Sequence, residues 1–235
     1  MSRIAAIGFD ADDTLWQNER FFRLTEERFL ALLEAHAEGP VLKRRLLDTE
    51  MRNLESYGFG IKGFTLSMIE TALEVTGTQV DGAAIAEILG WGREMLRHPV
   101  ETLPHARGCL EALRGRYTMI LVTKGDLFDQ ERKLAASGLG EFFDAVEIVS
   151  DKTAATYERV FRQHGDGAGN ALMVGNSLKS DVLPALEAGA FAVHVPHDLT
   201  WDYERAEPPV DHPCFAALPD LSGLPAAIEA FERGG

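Results

Sequence analysis

Cysteine is nearly missing from this chain. Only Cys109 and Cys214 occur, far apart and in no CxxC or CxxH pattern, which excludes a disulfide framework and gives no sign of a zinc site. Long apolar runs are missing as well. The one apolar stretch near the start, Ile4 to Phe9, runs straight into Asp10; it is too short for a signal peptide and far too short to span a bilayer. Positive charge is scarce: 23 Lys and Arg stand against 37 Asp and Glu, a formal net charge of -14. Such a surface on average repels nucleic acid and anionic membranes, so neither is expected as a partner, and any attraction for phosphate must be local. There is no low-complexity tract and no internal repeat. These absences, with 46% hydrophobic residues over 235 positions, predict a cytoplasmic globular protein large enough for a full core and a smaller inserted module.

What is present is an alternation. Short runs rich in Val and Ile recur at Ile4–Phe9, Met119–Val122, Val146–Val149, Leu172–Val174 and Phe191–Val195, each bounded by Gly, Asp, Ser, Thr or Pro. They read as strands buried on both faces. Helical stretches at Gln130–Ser137, Thr156–His164 and Asp181–Ala188 lie between them, the pattern of an α/β fold with a doubly wound parallel sheet and right-handed crossovers. About a hundred residues separate the first two strands, where a crossover needs a few tens. Amphipathic periodicity at Glu19–His36, Val41–Leu54, Phe64–Val75 and Gly82–Leu96 fills that gap with an all-helical insert. Its ends are expected near Trp16 and the Pro99–Pro104 segment, giving an α/β core of residues 1–16 and 99–235 and a helical module of 17–98.

Chemistry-bearing residues collect where these strands end, which is where open parallel sheets bind ligands. The first strand runs into Asp10-Ala11-Asp12-Asp13-Thr14. Carboxylates this close raise one another's pKa unless a cation neutralises them, which points to a hard metal such as Mg²⁺. The same segment also reads as a solvated acidic turn, with Asp13 or Thr14 capping the next helix. The second strand ends in Thr123-Lys124-Gly125-Asp126, a hydroxyl and a glycine that lets backbone N–H groups approach an anion; a polar capping turn has the same composition. After the third strand comes Lys152, able to offset charge on a phosphate or a nucleophile. The fourth runs into Gly175-Asn176-Ser177-Leu178-Lys179-Ser180-Asp181, oxygen-bearing side chains that suit a metal site or a helix start.

Taken together, Asp-x-Asp-x-Thr after strand one, Thr after strand two, an isolated Lys, then Gly-Asn-Ser with a following Asp resemble the four motifs of the haloacid dehalogenase superfamily. The resemblance covers nearly the whole chain, because the helical insert is similar to that superfamily's cap. It implies a Rossmann-like core and a phosphatase acting on a small-molecule phosphate ester. Asp10 would be the nucleophile that forms an aspartyl-phosphate. Asp12 would be the general acid and base. Mg²⁺ would be held by Asp10, the backbone carbonyl of Asp12, Asp181 and Asn176, and the phosphoryl group by Thr123, Lys124, Gly125 and Lys152. Dehalogenases as a group do not keep the second aspartate, so Asp12 favours phosphoryl chemistry.

The chain departs from the family pattern at three positions. Asn176 stands where many members have a second Asp, removing one negative charge. Lys124 replaces a frequent Asn, and its side chain is read as facing either phosphate or solvent. Thr153 follows Lys152 in place of the usual Pro, so that Lys124 or Lys179 competes for that lysine's role. Within the cap, Tyr57-Gly58-Phe59-Gly60-Ile61-Lys62-Gly63-Phe64 combines rings, glycines and one cation. It reads as a substrate-specificity loop built on Tyr57, Phe59 and Lys62, or as an interhelical turn packing its own aromatics. Rival functions are a phosphomutase, which the motifs do not separate from a phosphatase, and a metal-dependent binding protein without turnover. A phospho-accepting receiver is disfavoured, since there the accepting Asp follows a later strand and no cap interrupts strands one and two.

Overall fold

The computed structural model describes residues 4–234. The apolar runs form six strands: β1 (Ala6–Phe9), β2 (Thr118–Lys124), β3 (Ala145–Val149), β4 (Ala171–Gly175), β5 (Phe191–His194) and β6 (Phe215–Ala217). All pair in parallel, in the order β3-β2-β1-β4-β5-β6. The chain order reverses between β1 and β4, and a crevice opens at the carboxyl ends of such strands.

Period-two alternation sends successive side chains to opposite faces. On one face Ile7, Phe9, Met119, Leu121, Leu172, Val174 and Val193 join one core. On the other, Ala6, Ile120, Val122, Ala171, Met173 and Ala192 join a second. Helices cover both. Cys109, Leu110 and Leu113 of α5 (Ala106–Leu113) and Leu224 and Ile228 of α9 (Leu224–Gly234) close the first. Tyr157, Val160 and Phe161 of α7 (Ala154–His164) and Ala185 of α8 (Leu183–Glu187) close the second. The remaining core helix is α6 (Leu127–Ser137). One expected helix differs: Asp181–Ala188 begins instead as a π-helical turn, Leu178–Val182, before the short α8. Pro184 at the start of α8 lacks an N–H and fits only a first turn.

The chain divides into two compact units. The α/β unit takes in the chain up to Glu19, then Val100–Lys124 and everything from Gln130 onward; the other is Arg20–Pro99 with Gly125–Asp129. In the second unit α1 (Glu19–Leu32), α2 (Gly39–Tyr57), α3 (Ile61–Val75) and α4 (Gly82–Arg97) bury Phe29, Leu33, Leu42, Leu46, Phe64, Met68, Ile88 and Trp91 against one another. α2 stops at Tyr57 because Gly58 and Gly60 take φ of 69° and 109°, a region that disfavours side chains, so three residues suffice to reverse into α3. Among the described residues no helix is long and apolar enough to cross a membrane.

Candidate active site

β1 delivers Asp10 to the crevice, its N–H bonded to the Val174 carbonyl at 2.9 Å. Immediately beyond, the chain doubles back: Leu15 N–H reaches Ala11 O at 2.8 Å and Asp13 N–H reaches Trp16 O at 2.7 Å. Asp13 occupies the left-handed region at φ 61°, which Asp tolerates better than most residues. This turn separates the three carboxylates. Asp13 faces away and accepts the N–H groups of Asn18 (2.8 Å) and Glu19 (2.9 Å), capping α1. Burial, helped by the charge of Asp12 and opposed by His197, pushes its pKa up to about 6. The capping reading of the acidic turn therefore holds for Asp13, while Thr14 donates to Asp10 Oδ2 at 3.0 Å and accepts the Asn176 N–H at 3.0 Å, tying the ends of β1 and β4 together.

Lys152 reaches in from beyond β3. It is 5% exposed, and its ammonium donates to Asp10 Oδ1 and, at 2.7 Å, to Asp181 Oδ1. Lys124 and Lys179 are engaged elsewhere: Lys124 donates to Ser180 Oγ (2.7 Å) and Glu204 Oε1 (2.6 Å), and Lys179 lies 3.3 Å from the Tyr203 ring centre. So Lys124 faces neither open solvent nor the Asp10 carboxylate. Thr153, in place of proline, caps α7 by accepting the Thr156 N–H at 3.2 Å, a different way of starting the same helix. Two carboxylates share one ammonium here. Burial drives the Asp10 pKa up to about 7, with Asp181 and Asp12 adding to the rise and Lys152 opposing it. For Lys152, burial works against the charge, but Asp10 and Asp181 outweigh it and hold the ammonium protonated.

Asp12 has a separate cage. Its carboxylate accepts from Trp16 Nε1 at 2.7 Å, from Lys133 Nζ at 3.0 and 3.1 Å, and from Gln130 Nε2 at 3.2 Å. Gln130 also reaches Thr123 Oγ1 at 2.5 Å and the Lys124 carbonyl at 3.1 Å, linking the end of β2 to Asp12. Sequence reasoning missed Gln130 and Lys133. Their signal was two long polar residues, three apart, on the buried face of α6, a position where neither type is common.

Asp181 is buried behind β4, its Oδ2 accepting the Ser177 N–H at 2.9 Å. The Asn176 amide faces the Asp12 carbonyl, Asp10 Oδ2 and Thr14 Oγ1, each 3.2 Å from its inward atom. With nitrogen inward it donates to that group; with oxygen inward it adds another oxygen to it. Among the described residues no three His, Cys, Asp or Glu side chains form a metal cluster. The donors gathered at β1 and β4 are instead carboxylate, amide and main-chain oxygens, and an all-oxygen set of this kind fits Mg²⁺.

Lys62 Nζ donates to both carboxylate oxygens of Asp126 at 2.9 Å and lies 6.0 Å from the Phe128 ring centre. Tyr57 donates to Glu70 at 2.9 Å, and Phe59 is half-buried in the turn. Gly125 follows β2 with φ of 140°.

A doubly wound parallel sheet with Asp, Lys and amide side chains converging at its switch point defines a class of α/β proteins that bind ligands at the carboxyl ends of their strands. The chain belongs to the haloacid dehalogenase-like hydrolases, whose family model matches residues 4–189. A haloacid dehalogenase-like family hydrolase from Xanthomonas campestris is 40% identical and superposes with a TM-score of 0.88, over 98% of this chain and 93% of that one. The N-acylneuraminate-9-phosphatase of Mus musculus is 25% identical over 80% of this chain and 81% of its own. The glyceraldehyde 3-phosphate phosphatase of Methanothermobacter thermautotrophicus is 24% identical over 84% of this chain and 88% of its own.

Proposed function

We propose that this protein is a Mg²⁺-dependent phosphatase that hydrolyses a small-molecule phosphate monoester through an aspartyl-phosphate on Asp10. The observation that carries the reading is the pair of aspartates two residues apart in different environments: Asp10 buried against Lys152 and Thr14, Asp12 held by Trp16, Gln130 and Lys133. Two carboxylates held in contrasting surroundings are equipped for two different roles.

A carboxylate oxygen of Asp10 attacks phosphorus as the bond to the ester oxygen breaks, and Asp12 passes its proton to the departing alkoxide. Asp12 then takes a proton from water; the resulting hydroxide attacks phosphorus, the bond to Asp10 breaks, and phosphate leaves with Asp10 restored. Lys152 and Thr123 hold phosphoryl oxygens, with the main chain at Gly125 as a further donor. Lys124 contributes only if it leaves Glu204. When bound by Asp10, Asn176, Asp181 and the Asp12 carbonyl, Mg²⁺ supplies positive charge against the phosphoryl oxygens. A halide leaving group would need no proton, so an Asp12 held in place speaks for an ester substrate.

The helical unit acts in this reading as the cap that selects substrate, with Tyr57, Phe59 and Lys62 as its specificity residues. The two phosphatases above are named for different compounds at nearly equal identity, so the substrate search must be broad. The test is a panel of phosphate esters with and without Mg²⁺. Asp10→Asn is expected to lower phosphate release by at least about 10³-fold. Asp12→Asn should cost about 10²-fold on alkyl esters and clearly less on 4-nitrophenyl phosphate, whose leaving group needs no proton. Full activity of Asp10→Asn would sink the nucleophile assignment.

A further inference from the structure

Beyond β5 a single 3₁₀ turn, Asp202–Glu204, carries a carboxylate that no catalytic step uses. Glu204 is nonetheless largely buried, its side chain 14% exposed. One oxygen, Oε1, accepts from Lys124 Nζ at 2.6 Å; the other, Oε2, accepts the hydroxyls of Ser177 and Ser180, each at 2.5 Å. Lys124 also donates to Ser180 Oγ at 2.7 Å, closing a ring of hydrogen bonds. Charge-assisted bonds of this kind are short and about twice as strong as neutral ones.

The partners matter more than the ring. Ser177 directly follows Asn176, and Ser180 directly precedes Asp181; Lys124 directly follows Thr123. Ser177 Oγ in turn accepts the Ser180 N–H at 2.9 Å, and the Ser177 N–H holds Asp181 Oδ2. Tyr157, buried beneath, donates to the Ser180 carbonyl at 2.9 Å. The turn that carries two of the four Mg²⁺ donors is thus fixed from one side by Tyr157 and from the other by Glu204. A π-helical turn, as at Leu178–Val182, is uncommon and is frequently found at functional sites.

We infer that Glu204 is a positioning residue for the metal-binding turn: it holds Ser177 and Ser180 so that Asn176 and Asp181 present their oxygens together, and it keeps the Lys124 ammonium paired beside them. The inference rests on the proposed Mg²⁺ dependence. Its experiment is calorimetric titration of Mg²⁺ into metal-stripped full-length protein, wild type beside Glu204→Gln, with melting curves to establish folding. Glu204→Gln is expected to weaken Mg²⁺ binding about tenfold. In turnover assays it should raise the Mg²⁺ concentration for half-maximal rate more than it lowers kcat. Asp202→Asn, which removes an exposed charge two residues away paired with Arg205 at 3.1 Å, should leave Mg²⁺ binding unchanged. Ser180→Ala should weaken it at least twofold, and it decides the matter if Glu204→Gln does not fold. Equal weakening by Asp202→Asn would show a field effect in place of positioning and overturn the inference, as would unchanged binding in folded Glu204→Gln. A wild type that binds no Mg²⁺ would remove the metal reading itself and this inference with it.

Discussion

A Cβ built on Gly175 would lie 2.2 Å from Asp181 Oδ2 and 2.3 Å from its Cγ. No rotation of a side chain locked by Ser177 and Lys152 relieves that overlap, so any larger residue must push Asp181 out of the crevice. Gly175→Ala is therefore expected to lower Mg²⁺-dependent turnover at least about tenfold, since a misplacement of an ångström or less is costly at a reacting centre. A variant with wild-type kcat and wild-type Mg²⁺ requirement would contradict the role given to Asp181. At this scale the sequence was unevenly legible. Asp10, Asp12 and Asp181 were singled out as candidates by their spacing relative to strand ends. Lys152 was singled out by its place after the third strand and by the family resemblance, with Lys124 and Lys179 competing for its role, because a lysine between a strand and a helix carries little local signal; the fold buries it between two carboxylates. Gln130, Lys133 and Glu204 were hidden for a further reason: each acts on a motif residue more than twenty positions away, and long-range pairing leaves no trace in local pattern.

The elements were easier to read than their ends. Strand runs of Val and Ile fixed β1 to β5 to within about two residues, because a strand buried on both faces must be apolar throughout. The turn after β4 was misjudged as ordinary helix, since its π-helical geometry depends on Ser177, Tyr157 and Glu204 and not on local propensity. One tie between elements has a pH signature. Glu147 on β3 accepts from Arg159 (3.0 Å) and His164 (2.6 Å), both on α7. Although burial works to raise its pKa, the bonds from His164 and Arg159 outweigh burial and hold it below the usual 4.5. A depressed carboxylate stabilises the fold above its unfolded pKa and loses that contribution as pH falls through the folded value. Glu147→Gln should thus cost about 1 kcal/mol at pH 7, with the gap from wild type closing below pH 4. Thermal melts of both proteins at pH 7 and pH 3.5 check this, and a gap that persists in acid would refute it.

For the molecule as a whole, the overall charge and the local site pull in different directions. A chain of formal charge -14 repels a phosphate ester at long range, so in the proposed function binding would rest on Lys152, the strand-end N–H groups and a cation held among the oxygens of β1 and β4. Topology makes that concentration of charge possible: the order β3-β2-β1-β4-β5-β6 brings strand ends from Asp10 to Asp181 into one crevice; the alternation of strands and helices led to the expectation of a doubly wound parallel sheet, while the order itself came from the structure. What the helical insert does was not legible, since amphipathic periodicity reports only which side of a helix is buried. Asp10 and Asp181 share the ammonium of Lys152, so a cation bound beside them would add to the charge that holds both carboxylates. A ligand that binds only the folded state stabilises it by RT ln(1 + [L]/Kd), about 2.7 kcal/mol at a hundredfold excess over Kd. Mg²⁺ at that excess should accordingly raise the Tm by roughly 5–10 °C over the same protein in EDTA. Asp181→Asn, which removes a charge but keeps the shape, should lose most of that rise while losing little of its own stability in EDTA. An equal rise in Asp181→Asn would place the cation elsewhere and break the assignment of the β4 turn as its seat.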